Sequence, residues 1–567
     1  MTKKIKIFTL VSFLLFSVTT NLFAQKKAIQ PPFTKGVNMT SWFEIWEKGI
    51  PNLNKYSYQD FLNLKELGVD VVRLPVHFYM MMDDKSGELE EIVWNYLDQV
   101  CDWAEELEIY LIIDNHSFNK GKYPSAKVVR KHLETIWPQI AERYKDRSEY
   151  ILYEILNEPQ ISQESWVKIQ KDILSLIREY DTKHTVVVTG ANWGGRDAML
   201  KLKPLNDDNL IYSFHYYDPF YFSHQGVDNS NELAALHDIP FPYDKNRMPA
   251  LEGAAKGSYL EQDFKTYYPT VATEKTMHAD LQKAVDFSIK YDVPVFVGEF
   301  GVYSKTAPYE DRIRWFETVG KIFQEFGLSY TIWGYDDVFS FFRKDNLEYP
   351  YGLEPRILKA LDFNVPEGAG TENQNPPSPQ SLPLVLYDDL PGKNIVANIW
   401  HSLENSVIVS RKGDCPEGKF YYLLSDLSRH NNLTFTFKNK NLTSASDLEN
   451  TCLHFYIKTE DESQNLQIRF VEPDTKDNIP WRFAYDFPIS ECSPGEWYLC
   501  EIPLSEFRIT GAWTNLDGGK WYNVTDVDDD PFDWSDVYGL EFVPDAADLK
   551  GSICLDDIKI MEISSED

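Results

Sequence analysis

Between Phe33 and Phe363, short apolar runs alternate with longer amphipathic ones eight times over, and this pattern constrains the fold more than any other feature of the chain. The strands expected from it are Gly36–Met39, Val69–Pro75, Tyr110–Asp114, Tyr150–Leu156, Thr185–Thr189, Leu210–His215, Pro294–Glu299 and Tyr330–Trp333. Between them, Ser57–Leu67, Ile92–Leu107, His132–Tyr144, Trp166–Tyr180, His278–Tyr291 and Tyr309–Phe326 carry apolar residues at three- and four-residue steps, as Ile173, Leu174 and Ile177 do. Strand–helix alternation implies parallel strands joined by right-handed crossovers. Eight such units over this length predict a closed (β/α)8 TIM barrel, an α/β fold, spanning 25–363. One connection, from about Asp218 to Thr273, is far longer than the others. It leaves the carboxyl end of a strand, which predicts a wall of a substrate cleft.

From 364 to 383 the chain reads NVPEGAGTENQNPPSPQSLP, a composition that cannot bury a core and predicts a linker. Beyond it, 384–567 alternates strand-like runs with turn-rich pieces and shows no helical period. That predicts an all-β sandwich of the jelly-roll type. Its expected strands are Leu384–Tyr387, Tyr421–Leu424, Leu433–Phe437, Leu453–Ile457, Leu466–Phe470, Trp497–Ile502, Val537–Phe542 and Ile553–Ile560.

At the other end, Lys3, Lys4 and Lys6 precede an apolar run from Ile7 to Val18, and Leu22-Phe23-Ala24 offers a cleavage site before Gln25. This pattern predicts a signal peptide over 1–24 and a secreted, periplasmic or cell-surface protein with no membrane insertion once the signal is removed. The formal net charge of -32 repels phosphate backbones and anionic lipid, which excludes nucleic acid as the expected partner and favours a neutral one. No Cys/His spacing in the chain matches a zinc site.

In a barrel of this kind the chemistry gathers at the carboxyl ends of the strands. Those ends carry Arg73 on strand two, Asp114-Asn115-His116 on strand three, Asn157-Glu158-Pro159 on strand four, His215 and Tyr217 on strand six, Glu299 on strand seven and Trp333 on strand eight. Two carboxylates on different strands meet the needs of glycosidic cleavage: one held protonated for the leaving oxygen, the other ionised toward the anomeric carbon. A lone glutamate there would read as a rim ion pair. The ordered set with Asn157, His215, Tyr217 and Trp333 does not. Arg73 beside Glu299 is expected to hold that carboxylate ionised, with Tyr217 donating to it, while Glu158 keeps the raised pKa. Glu154 shares a strand face with Glu158 one layer deeper and reads as a structural partner of Arg73. Trp42, Trp193 and His224 are candidates for the outer sugar sites, with local packing as the competing reading.

Residues 33–363 resemble glycoside hydrolase family five, the cellulase family, on these motifs. The resemblance implies Glu158 as acid/base and Glu299 as nucleophile, with Arg73, His116, Asn157, His215, Tyr217 and Trp333 as the supporting set, and no cofactor for catalysis. It implies a retaining hydrolase of a neutral β-linked polysaccharide. A β-1,4-glucan leads, and mannan and xyloglucan follow, because the barrel core does not separate them. Transglycosylation shares the same covalent intermediate. A non-catalytic glycan-binding protein is the alternative of another class, and the presence of both glutamates speaks against it. The chain is expected to be a monomer.

The sandwich is similar to jelly-roll carbohydrate-binding modules. That similarity implies a structural Ca²⁺ held by Asp388, Asp389, Asp556 and Asp557. Trp481, Trp513 and Trp521 are the rings expected to stack on sugar, while Trp497 and Trp534 are expected in the core.

Overall fold

The computed structural model describes residues 27–563, apart from 45–54, 84, 90, 119–122, 229, 344–345, 373–377, 393, 401–406, 419, 426, 461–464, 476–477, 517–518, 527–531 and 550. The expected signal at 1–24 therefore lies outside the described residues. The chain forms two compact units, one drawn from 1–40, 65–79 and 104–372, the other from 41–64, 80–103 and 373–567.

Eight parallel strands close the barrel in chain order: β1 (Lys35–Asn38), β2 (Val71–Val76), β3 (Tyr110–Asn115), β4 (Ile151–Glu154), β5 (Val186–Thr189), β6 (Leu210–His215), β7 (Val295–Glu299) and β8 (Ser329–Ile332), with β8 pairing back onto β1. Each lies within a few residues of its expected span. All are buried along almost their whole length, which is why they read as apolar runs. Alternate residues point inward, so the barrel interior is layered. Phe33, Val71, Ile112, Leu152, Val187, Ile211 and Phe296 form an apolar plug. Two residues further along the same strands, the next layer is polar: Arg73, Asp114, Glu154, Thr189 and Ser213, all buried. On these five strands a step of two residues thus leads from core to chemistry.

The helices Ala126–Tyr144, Gln163–Tyr180 and Tyr309–Phe326 each bury a tryptophan against this scaffold. Trp137 donates its indole N–H to Ile155 O at 3.0 Å and Trp166 to Thr189 O at 2.7 Å. Trp315 donates to Asp218 O at 3.0 Å. Each bond, worth about 1 kcal/mol net, ties a helix to backbone within a few residues of a candidate site side chain: Ile155 before Asn157, Thr189 before Trp193, and Asp218 after Tyr217. The first helix starts six residues earlier than its periodicity predicted and runs through Pro138. The long 218–273 connection is built from short helical turns, such as Phe220–Ser223 and Leu260–Thr266.

The segment expected as a linker, 364–383, has described residues on both sides of 373–377. Arg343 donates to Gly370 O, and Gln380 N donates to Asn441 O, so both flanks of the segment are held within their own units. The C-terminal strands are β9 (Leu384–Asp388), β10 (Leu390–Pro391), β11 (Ile395–Trp400), β12 (Val407–Lys412), β13 (Phe420–Ser425), β14 (Asn432–Phe437), β15 (Thr451–Thr459) and β16 (Asn465–Val471), followed by β17 (Trp481–Pro488), β18 (Trp497–Pro503), β19 (Arg508–Thr514), β20 (Lys520–Tyr522), β21 (Gly539–Val543) and β22 (Ser552–Glu562). Among the described residues they form two antiparallel seven-stranded sheets. One contains β10-β9-β22-β13-β12 with β15 and β18, and the other runs β11-β14-β21-β16-β17-β19-β20. A single apolar core including Tyr387, Phe435, Phe455, Phe470 and Phe542 fills the space between them.

Candidate active site

Arg73, fully buried on β2, is the hub of the barrel mouth. Its guanidinium grips Glu154 bidentately, Nε to Oε2 at 2.7 Å and Nη2 to Oε1 at 2.9 Å. It also donates to Asn38 Oδ1 at 2.9 Å, Glu299 Oε1 at 2.9 Å and Asn157 Oδ1 at 2.8 Å, and pairs with Asp114 Oδ2 at 2.9 Å. A planar fork with five donors suits this work; the point charge of a lysine would not. One fixed cation therefore faces three buried carboxylates.

On β3, Asp114 Oδ2 also lies 2.6 Å from His116 Nδ1. That contact leaves His116 Nε2 facing Asn157 Nδ2 at 3.3 Å, and the imidazole stacks on Trp333 with ring centroids 5.5 Å apart. At the end of β6, His215 Nδ1 is 2.8 Å from Glu158 Oε1 and 3.4 Å from Glu299 Oε2. Tyr217 donates its hydroxyl to Glu299 Oε2 at 3.1 Å. Single ligand atoms of Glu158, His215 and Glu299 all lie within 4.8 Å of one another.

The two glutamates differ in setting. Burial pushes Glu158 up to about 8, while Arg73 pulls it down. Burial pushes Glu299 up to about 7, opposed by His215 and then Arg73. Glu299 thus stands above the ordinary carboxylate range, where the sequence suggested a lowered value. Arg73 is shared with Asp114 and Glu154, so its charge does not outweigh the loss of solvent at Glu299. Burial lowers His215, which favours its neutral imidazole. At Glu158 and His215, one proton between the two groups satisfies the contact, whichever of them carries it.

Trp193 is 53% exposed, in a left-handed run at Asn192 (φ 57°), Trp193 (φ 60°) and Gly194 (φ 59°). Gly194 lies against His215, and its carbonyl accepts from His215 N–H. Left-handed backbone costs about 1–2 kcal/mol for each non-glycine residue. Two such residues in a row hold an indole out at the rim of the site. His224 stacks on Phe220 at 4.2 Å and meets Tyr217 edge-on at 4.8 Å. It is thus one ring removed from Glu299, and burial pushes it down to about 3.

Other expectations are corrected. Trp42 is fully buried, packed on Phe43, Tyr56 and Trp103, and has no face left for a sugar. In the sandwich, Trp481 is 5% exposed and belongs to the core, because its neighbour Arg482 takes the outward position on that strand. Trp513 and Trp521 are exposed. Asp388, Asp389, Asp556 and Asp557 come near one another, and burial with mutual repulsion raises Asp556 to about 6. Lys559 Nζ sits 2.5 Å from Asp557 Oδ1 and His454 Nε2 3.3 Å from Oδ2, and among the described residues the only metal-type grouping is the one at Glu158. The residues that sequence reasoning passed over are Asn38 and Asp114, both bonded to Arg73. Asp114 was in view at its strand end. The parity that put Arg73 and Glu154 in the polar layer would have placed it there too.

A family model described as Cellulase (glycosyl hydrolase family 5) matches residues 30–337. Endoglucanase 3 of Fibrobacter succinogenes is 28% identical over 341 residues, which cover 56% of this chain and 51% of that protein. Endoglucanase C of Acetivibrio thermocellus is 26% identical over 320 residues, covering 53% of this chain and 91% of that protein. The crystal structure of endoglucanase Cel5A from Thermotoga maritima aligns at 25% identity over 58% of this chain and 96% of its own, with a TM-score of 0.48. The chain thus spans about half the length of the first of these relatives.

Proposed function

Because the chain belongs to glycosyl hydrolase family 5, we propose that this glycoside hydrolase cuts a β-1,4-glucan with retention of configuration, using Glu158 as acid/base and Glu299 as nucleophile. The observation that carries the reading is the spacing of the pair. One carboxylate oxygen of Glu158 lies within 4.8 Å of one of Glu299, an approach that favours the roughly 5–5.5 Å carboxyl spacing of retaining pairs over the roughly 6.5–9.5 Å that leaves room for water in inverting ones.

In the first step Glu299 attacks the anomeric carbon while Glu158 gives its proton to the departing glycosidic oxygen, and a glycosyl ester forms on Glu299. In the second, Glu158 takes a proton from water, whose oxygen displaces Glu299 and regenerates both groups. Arg73 and Tyr217 bind both oxygens of Glu299, which fixes its aim and favours its charged form. His215 holds Glu158 in register for both proton transfers. Asn157, whose oxygen is taken by Arg73, presents its amide N–H toward the sugar 2-hydroxyl, a contact that strengthens in the transition state. Trp333, steadied by His116, supplies a flat apolar floor.

The names of the relatives, both endoglucanases, support a glucan over other β-glycans. Export of the protein is supported by the basic start and apolar run of 1–24, and among the described residues no helix is long and apolar enough to cross a membrane. The test is activity against carboxymethylcellulose, barley β-glucan, glucomannan, galactomannan and xyloglucan, with Glu299→Ala as the control. Preference for the first two is expected. Preference for a mannan or xyloglucan would overturn the substrate assignment, and inactivity of the folded protein on all five would overturn the catalytic one.

A further inference from the structure

We propose that the outer face of the β11-to-β20 sheet carries a second glycan site, in which a neutral pyranose chain lies on Trp513 and Trp521 and is gripped by Arg482. The site lies within 384–567, beyond the end of the family match, and its argument does not depend on the barrel's chemistry.

Three strands build it. Trp513 on β19 and Trp521 on β20 are directly opposite in register, so their side chains stand side by side on one face. Both rings lie flat because the backbone beneath them is glycine. A Cβ at Gly511 would come within 2.4 Å of the Trp521 ring, and one at Gly519 within 2.8 Å of the Trp513 ring. Each indole N–H is held by an asparagine two residues on, Trp513 to Asn515 at 3.1 Å and Trp521 to Asn523 at 3.0 Å. Both rings remain more than 40% exposed, at 42% and 41%. Packing alone gives no reason to fix two large rings flat and leave their faces in water, whereas a sugar's apolar C–H face would cover them.

Arg482 supplies the second observation. On β17 it points away from the core that holds Trp481, and its guanidinium lies 5.4 Å from the centroid of the Trp521 ring. Its side chain is part-buried, and among the described residues the guanidinium makes no hydrogen bond or close ion pair, with Glu541 and Asp545 acting on it only at longer range. Its neighbour Arg469, by contrast, is bound to Glu541 at 2.7 Å. Burial lowers the Arg482 pKa to about 10. A desolvated guanidinium without acceptors is costly, and a ligand that brings acceptor oxygens removes the cost.

These groups line a cleft of ≈ 1140 Å³. Glu472, Asp474, Glu541 and Asp545 line it as well, with Arg429 and Arg469, which are already engaged by Asp545 O and by Glu541, so it offers acceptors and donors together. Hydroxyls, which both donate and accept, match such a lining. A uronate would satisfy Arg482 but would face four carboxylates. This favours a neutral sugar.

The test is native affinity electrophoresis of the full chain, carrying Glu299→Ala to prevent digestion, in gels containing barley β-glucan, glucomannan, xyloglucan or glucuronoxylan. We expect retardation by at least one neutral polymer, weakened about tenfold by Trp513→Ala or Trp521→Ala and weakened also by Arg482→Met, which keeps the side chain's length. With Glu299 restored, all three variants should hydrolyse a soluble aryl cellobioside at the parent rate, and unchanged thermal unfolding of the full chain reports that the sandwich still folds. Retardation unchanged in the three variants, or seen only with glucuronoxylan, would overturn the proposal. A barrel with no activity would leave the retardation and its loss intact, so this site and the proposed reaction fail separately.

Discussion

Replacing Tyr217 by Phe removes a single hydroxyl from the barrel mouth and leaves its ring where it packs, against His224 at 4.8 Å and Phe339 at 6.1 Å. The lost bond runs to Glu299 Oε2 at 3.1 Å, and its acceptor is charged in the form that attacks. Hydrogen bonds to charged groups are worth about 1.5–3 kcal/mol, so the carboxylate loses that much relative to its protonated form. At about 1.4 kcal/mol per pKa unit, Glu299 should rise by one to two units from its value of about 7. Two effects follow in kcat/KM measured from pH 4 to 10 on a soluble aryl cellobioside. The acid limb should move to higher pH by one to two units. At pH 6 the rate should fall about ten- to hundredfold, most of it through loss of the ionised nucleophile. The basic limb, set by Glu158, should stay in place, and the thermal midpoint should change little, because no packing is lost. An acid limb that does not move, with a rate within twofold of the parent, would refute the claim that Tyr217 holds Glu299 ionised.

Asp114→Asn should do the reverse at the acid limb. Asp114 raises Glu299 by repulsion, so removing its charge should carry the limb to lower pH, while kcat falls about tenfold as His116 exchanges its charged partner for a neutral amide; a pH–rate profile beside that of Tyr217→Phe checks the opposite signs. Trp193→Ala should raise KM on polymeric substrate about tenfold with kcat nearly unchanged, since the ring is exposed at the rim; steady-state kinetics on β-glucan decides. Glu158 is raised from its ordinary 4.5 to about 8, so the folded state keeps a proton that the unfolded chain releases. Its contribution to stability is full below about pH 4.5 and is lost as pH rises through about 8, and Glu158→Gln should show a smaller loss of urea midpoint between pH 5 and 9 than the parent.

The barrel was legible because its strands are buried on both faces and stand out as apolar runs between amphipathic helices. The sandwich was only half legible. Trp481–Pro488 mixes Arg and Asp into its alternation, Arg508–Thr514 carries Gly511 where a close ring approach requires it, and Lys520–Tyr522 is three residues long. Those three strands bear the tryptophan cleft, so the feature most worth finding was built from the segments hardest to read. At the barrel mouth, strand-end position placed Arg73, His116, Asn157, Glu158, His215, Tyr217, Glu299 and Trp333 in one neighbourhood. Sequence could not say how one guanidinium would be divided among Asp114, Glu154 and Glu299, and the expected lowering of Glu299 failed on that division. Trp42 and Trp481 show the other limit: ring type marks a candidate, but strand parity and neighbouring rings decide whether a face is free.

The central claim is that Glu299 becomes covalently bonded to the sugar while Glu158 moves the protons. Incubating the protein with a 2-deoxy-2-fluoro-β-cellobioside bearing a good leaving group, followed by peptide mass spectrometry, tests it directly. The account predicts one fluoroglycosyl adduct, on the peptide containing Glu299, absent in Glu299→Ala and slow to turn over. An adduct on Glu158, or no adduct together with first-formed product of inverted configuration, would contradict it.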